Sequence, residues 1–191
     1  SVKVTFDRIF KREGITATSI EGDAFHRYDR TDMKSVMQEE SEKGNNHFSH
    51  FGPEANRLED LENVFRQFSE DGGGRIRNYV HDEIEAERHG TPPGTFTQWR
   101  DIPDDTELLF YEGLHGGLVC DEVNIAEDVD LLIGVAPTIN LEWIQKINRD
   151  TSERGYQPED VIDTIHRRMY DYMHYIMPQF DHTHINFQRI P

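Results

Sequence analysis

Three carboxylates stand where the pattern of the chain ends a strand or a helix: Asp23 in "EGDAFHR", Glu112 in "FYEG" and Asp150 in "NRDTSERG". Cations accompany two of them. His26, Arg27, Arg30 and Lys34 follow Asp23, while Lys146, Arg149 and Arg154 surround Asp150, with Arg167 and Arg168 further on. In parallel α/β sheets, ligands sit beyond the carboxyl ends of the strands, so acids placed there can converge on one pocket. A cationic rim around carboxylates suits phosphoryl transfer. Cations stabilise charge on the moving group, one carboxylate anchors Mg²⁺, and another accepts the proton of the attacking hydroxyl. Surface ion pairs between acids and arginines would produce the same composition, and the residue types alone leave both readings open.

The elements that must position these side chains are legible in part. "LLFYEGLHGG" at 108–117 is an apolar run that stops at Glu112 and glycine, the pattern of a buried central strand delivering one acid to the rim of a sheet. "ITATSIEGD" is rich in β-branched residues and breaks at Gly22, so a strand is expected to deliver Asp23. "VDLLIGVAP" at 129–137 reads as a second fully apolar strand closed by Pro137. Two such runs separated by connecting segments fit a parallel sheet.

Helices are expected over the opening residues, with Val2, Phe6, Ile9 and Phe10 on one side and Gly14 as the cap. Others are expected near 31–43, along the Leu58, Leu61, Val64, Phe65 and Phe68 stripe, and over 158–177 from Pro158 onward. If Lys146 lies on a helix, Arg149 and Asp150 fall three and four residues on and share its side. The segment 71–99 mixes glycine, proline and short alternating runs and reads as small strands within a long excursion.

Composition bounds the rest. The chain has 191 residues, enough for one well-buried core, and a single domain is expected. With 20 Lys plus Arg against 37 Asp plus Glu, the formal charge is −17, a field that repels nucleic acid and anionic membranes. An anionic ligand therefore needs a local basic cluster. Cys120 is the sole cysteine, which rules out an internal disulfide and a cysteine-rich zinc site and fits a reducing, cytoplasmic setting. No apolar run approaches the length of a membrane span, and the opening residues are not expected to be a basic-then-apolar leader. "GGG" at 72–74 follows a helix rather than a strand and reads as a turn, not a phosphate cradle. The pairs His47/His50 and His182/His184 lack the further ligands a zinc site needs.

Taken together, "IEGDAFHR", "FYEGLHGG", "INLEWIQKI", "RDTSERGY" and "INFQR" resemble bacterial-type phosphoribulokinase over essentially the whole chain. Asp after the second strand with Arg-Asp and Arg-Gly in a lid is shared with uridine kinase. "FGPEAN" and "THINFQR" resemble the group found in non-photosynthetic bacteria. The resemblance implies a three-layer α/β P-loop kinase-like fold with a mostly parallel central sheet flanked by helices. It implies transfer of the ATP γ-phosphoryl group to the 1-hydroxyl of ribulose 5-phosphate.

By the same resemblance Asp23 is the general base, Glu112 the Walker B-like acid near Mg²⁺, and Asp150 a second catalytic carboxylate that shares the metal. Lys146 and Arg154 contact phosphates, while His26, Arg30 and Arg149, with Lys34 nearby, grip the sugar phosphate. Arg12, Arg167 and Arg168 fall where effectors such as NADH or AMP, or neighbouring subunits of a homo-oligomer, are contacted. The family's phosphate loop precedes the first helix, and further strands and a helix follow "NFQRIP"; residues 1–191 are thus expected to be one kinase domain lacking both. The regulatory cysteine pair of the chloroplast enzymes has no counterpart. A non-catalytic sugar-phosphate binding or assembly domain and a uridine-type nucleoside kinase are the alternatives.

Overall fold

The computed structural model describes residues 2–153 and 155–189. Along the chain these form α1 (Val2–Glu13), β1 (Ala17–Glu21), α2 (Arg30–Glu42), α3 (Leu58–Asp71), β2 (Arg75–Ile76) and α4 (Glu83–His89). There follow β3 (Arg100–Asp101), β4 (Leu108–Glu112), β5 (Ile133–Pro137), α5 (Ile139–Ser152), α6 (Pro158–Asp171) and β6 (Ile185–Arg189).

Strand β1 pairs in parallel with β4, residue for residue from Ala17↔Leu108 to Glu21↔Glu112, so the two strands end level and bring Asp23 and Glu112 to the same edge. Side chains alternate across this pair. Phe110 meets Phe6 and Phe10 of α1, with ring centroids 5.3 and 5.7 Å away. On the opposite face Tyr111 meets Phe65 of α3 edge-on at 5.4 Å. Helix, sheet and helix thus form three layers. The core lies on the α3 side, where Leu58, Leu61, Val64 and Phe65 join Ile20, Phe25, Ile76, Leu118 and Ile125. Both α1 and α3 stop at a glycine in the left-handed region, Gly14 at φ 72° and Gly72 at φ 76°, where a side chain would be strained.

The expected central sheet is present as two separate parallel pairs, β1–β4 and β5–β6, with a small antiparallel pair β2–β3. Between β4 and β5 lies a cavity of about 430 Å³ lined by Phe110, Tyr111 and Glu112 on one side and Ile133, Gly134 and Val135 on the other. The two apolar runs are consequently less buried than their composition predicts: Val135 is 45% exposed and Leu131, before the strand proper, 54%.

Three local expectations change. The strand read at 129–137 begins only at Ile133. Segment 71–99 contains a helix, α4, capped by Asp82 accepting from the Glu85 N–H and closed by Gly90. No residue of α4 is buried, so no apolar period marks it. The long C-terminal helix ends as α-helix at Asp171, continues as a π-turn through Tyr172–Ile176 and tightens to a 3-10 turn at Met177–Asp181. Pro178 explains the change, since it lacks an N–H and its ring crowds the carbonyl four residues back. Among the described residues no helix is long and apolar enough to cross a membrane.

Candidate active site

Asp23 sits in a one-turn 3-10 helix, Gly22–Phe25, that begins as β1 ends. Its neighbours Ala24 and Phe25 are buried, anchoring the turn, while the Asp23 side chain remains 46% exposed and lines the 430 Å³ cavity together with Glu112. Gly22 and Gly113 let the carboxyl ends of β1 and β4 approach: a Cβ on Gly22 would stand 2.7 Å from the Tyr111 hydroxyl and 2.8 Å from Gly113 Cα.

Histidines surround the aspartate. His26 Nε2 lies 3.5 Å from one Asp23 oxygen and His81 Nε2 3.8 Å from the other. His81 also lies 3.6 Å from Glu21, which Lys3 engages from the other side at 2.6 Å. The interaction with His81, joined by Lys3, holds the Glu21 carboxyl down at about 2 against the opposing effect of burial. Glu21 in turn raises the His81 pKa, although burial of the imidazole works the other way. His26 behaves differently. It stacks on His50 with ring centroids 4.0 Å apart, and burial pushes the pKa of each to about 3, so both rings are neutral at pH 7.

The second cluster lies on α5. Asp150 is 3% exposed and ion-paired with Lys146, and Arg149 Nε donates to its other oxygen at 3.0 Å. Burial raises the Asp150 pKa, but hydrogen bonds from Lys146 and Arg149 outweigh it and keep the carboxyl below its ordinary value. Arg168 of α6 lies beside the α5 cluster, where it lines a small pocket with Glu142 and Lys146. Burial lowers its pKa, whereas the Asp150 and Asp23 carboxylates both act to raise it. Its guanidinium also lies over the Phe51 ring, 5.0 Å from the centroid.

The other sequence candidates are placed as follows. Arg30 opens α2, and its Nη2 donates to the His81 carbonyl at 2.9 Å, tying that loop to the helix. Lys34 is exposed one turn further along α2. Arg12 is exposed on α1 and paired with Glu13 at 2.7 Å. Arg167 is partly buried, and its Nη1 has no hydrogen-bond partner among the described residues. Arg168, grouped with these two as an effector or subunit contact, lines a small pocket with Glu142, Lys146 and Phe51. Arg154 lies outside the described residues. Sequence reasoning did not single out His81, and treated His50 only as a zinc candidate. Among the described residues no cluster of three or more possible ligands forms a metal site.

A family model described as "Phosphoribulokinase / Uridine kinase family" matches residues 1–191. The chain belongs to this family. It is 61% identical over 191 residues to a phosphoribulokinase of Nitrobacter vulgaris and 59% identical to a chromosomal phosphoribulokinase of Cupriavidus necator. Both matches cover 100% of this chain but only 66% and 65% of the relatives, so the chain spans slightly less than two thirds of their length. A solved phosphoribulokinase structure from Rhodobacter spheroides superposes with a TM-score of 0.90 at 57% identity, covering 100% of this chain and 66% of that one. A D-glycerate 3-kinase from Cryptococcus neoformans shares the fold at 14% identity, with a TM-score of 0.56 over 88% of this chain and 72% of its own. The phosphoribulokinase/uridine kinase fold is therefore that of this chain, with Asp23 and Glu112 at the edge where β1 and β4 end.

Proposed function

We propose that the chain is the acceptor-binding and catalytic part of a phosphoribulokinase, an ATP-dependent enzyme that phosphorylates the 1-hydroxyl of D-ribulose 5-phosphate to give ribulose 1,5-bisphosphate and ADP. The observation that carries this reading is the half-exposed Asp23 carboxylate lining one cavity with Glu112, alongside a second cluster on α5 in which Lys146 and Arg149 engage Asp150. Asp23 accepts the proton of the attacking hydroxyl. His26, neutral at pH 7, contributes a hydrogen bond beside it without competing for that proton. Arg30 and Arg149, with Lys34 at the rim, neutralise the sugar phosphate. Lys146 and Arg154 stabilise charge on the transferring group.

Magnesium takes one or two carboxylates and keeps several waters. Glu112, exposed on the cavity wall, fits that demand, and the metal would neutralise phosphate charge there. Asp150 fits it less well, because Lys146 and Arg149 already engage both its oxygens. Its part in this reading is to hold those two cations in register. The cavity between β4 and β5 receives a strand and phosphate loop from the rest of a longer polypeptide, completing the nucleotide site. Cytoplasmic location, a homo-oligomeric state and control by NADH or AMP through Arg12 and Arg167 belong to the same proposal.

In the full-length protein, Asp23→Asn is expected to lower kcat by about 10² to 10⁴ while ribulose 5-phosphate still binds. Near-normal turnover would remove Asp23 as the base. A uridine-type kinase would phosphorylate a nucleoside instead, an acceptor without the phosphate that Arg30 and Arg149 are set to meet. Sugar-phosphate binding with neither nucleotide binding nor turnover would favour a non-catalytic domain.

A further inference from the structure

The turn that carries Asp23 has an unusual set of supports. A helical turn this short leaves most of its carbonyls without intrahelical partners. The Asp23 carbonyl accepts from the His26 N–H at 3.2 Å and the Phe25 carbonyl from the Arg57 N–H at 2.8 Å. Two more, those of Ala24 and His26, are both taken by one side chain: Arg77 Nε donates to the Ala24 carbonyl at 2.7 Å and Nη2 to the His26 carbonyl at 2.8 Å. Ala24 is fully buried, so water cannot replace that donor without opening the turn.

The guanidinium itself is fixed by aromatic rings. Its Cζ lies 3.6 Å from the Phe96 ring centroid and 4.8 Å from that of Trp99, and Trp99 packs edge-on against Phe25 of the same turn at 6.1 Å. Burial, with Arg57 nearby, lowers the Arg77 pKa to about 10, which leaves it charged at neutral pH. Its observed partners are thus backbone carbonyls and π-faces, the arrangement that a planar fork of donors satisfies and a lysine ammonium does not.

We infer that Arg77 is the positioning residue of the site: by clamping the carbonyls on either side of Phe25 it sets the direction of the Asp23 carboxylate and the His26 imidazole. It acts through the turn rather than on the substrate. This inference rests on the proposed kinase reading for its effect on turnover, but its structural half does not.

The test uses the full-length protein with Arg77→Lys and Arg77→Ala, measuring steady-state kinetics and segment-resolved amide hydrogen exchange. A small displacement of a catalytic group costs on the order of 10² in rate, so kcat is expected to fall by about 10 to 10² in both variants. The KM for ribulose 5-phosphate should change much less. Exchange should rise over residues 22–27 and stay as in the parent over α6 and the β5–β6 pair. Millimolar guanidinium is expected to return part of the turnover to Arg77→Ala. Unchanged kcat with unchanged exchange over 22–27 overturns the inference, as does faster exchange throughout the core with a loss of kcat that merely follows the unfolded fraction. Should Arg77→Ala not fold, Arg77→Lys and Phe96→Leu, which removes one face of the clamp, decide by the same two readouts. A parent protein without kinase turnover would sink the functional reading, and local exchange over 22–27 would still decide the role of Arg77.

Discussion

At the scale of single residues, the site works by giving chemically similar groups different surroundings. Glu21 and Asp23 are two positions apart, yet Glu21 is clamped between Lys3 and His81 while Asp23 stays half-exposed toward the cavity. The Glu21 carboxyl is held down at about 2. A depressed folded-state pKa contributes stability that is complete above the ordinary carboxylate value of 4.5 and fades as pH falls toward 2. Thermal midpoints followed from pH 5 downward should therefore decline less steeply in Glu21→Gln than in the parent, with the difference confined to about pH 4.5 to 2. Parallel curves would mean that the Lys3–Glu21–His81 chain is absent in solution. The acids at 23, 112 and 150 stood out in the sequence because each lies at or close to the end of a strand or helix, where the local pattern changes. His81 was not: it reaches Glu21 from a loop between β2 and α4, and no spacing in the sequence relates the two.

At the scale of elements, strand and helix identities follow from periodicity wherever one face is buried, as along Leu58, Leu61, Val64 and Phe65 of α3. Where burial is missing, the signal goes with it, which is why α4 reads as part of an irregular excursion. Position relative to neighbours is harder still. Nothing in "FYEG" indicates that Gly113 and Gly22 lie back to back with the Tyr111 ring filling the space beside them. A Cβ on Gly113 would collide with the Tyr111 hydroxyl and stand 2.7 Å from Gly22 Cα, and the latter is backbone that cannot rotate aside. Gly113→Ala is therefore expected to destabilise the fold by about 1–3 kcal/mol, the range for overpacking a close-packed site. Urea unfolding measures that cost. Because the displaced strand ends carry Asp23 and Glu112, turnover of the full-length protein should fall further than the folded fraction does. Parental stability in the Gly113→Ala variant would show that the two strand ends are further apart than the structure places them.

At the scale of the molecule, the family resemblance conveyed more than periodicity did, because it covers all three carboxylates at once and the fold comparison agrees with it at a TM-score of 0.90. What neither periodicity nor composition indicated is the division of the sheet into two parallel pairs flanking a cavity. Amide groups along a strand point alternately to either side, so β4 uses only every second N–H in pairing with β1. The others face β5 across the cavity, and an unpaired strand edge is a template for another strand. If the longer polypeptide fills this space with a strand, those alternate amides among residues 108–112 gain partners, and they should exchange slowly in the full-length protein but quickly in the 191-residue chain. Amides already bonded to β1 should be slowed in both. Equal exchange of the two sets in the two proteins would leave β4 an open edge, and would send the search for a nucleotide site elsewhere than beside Glu112.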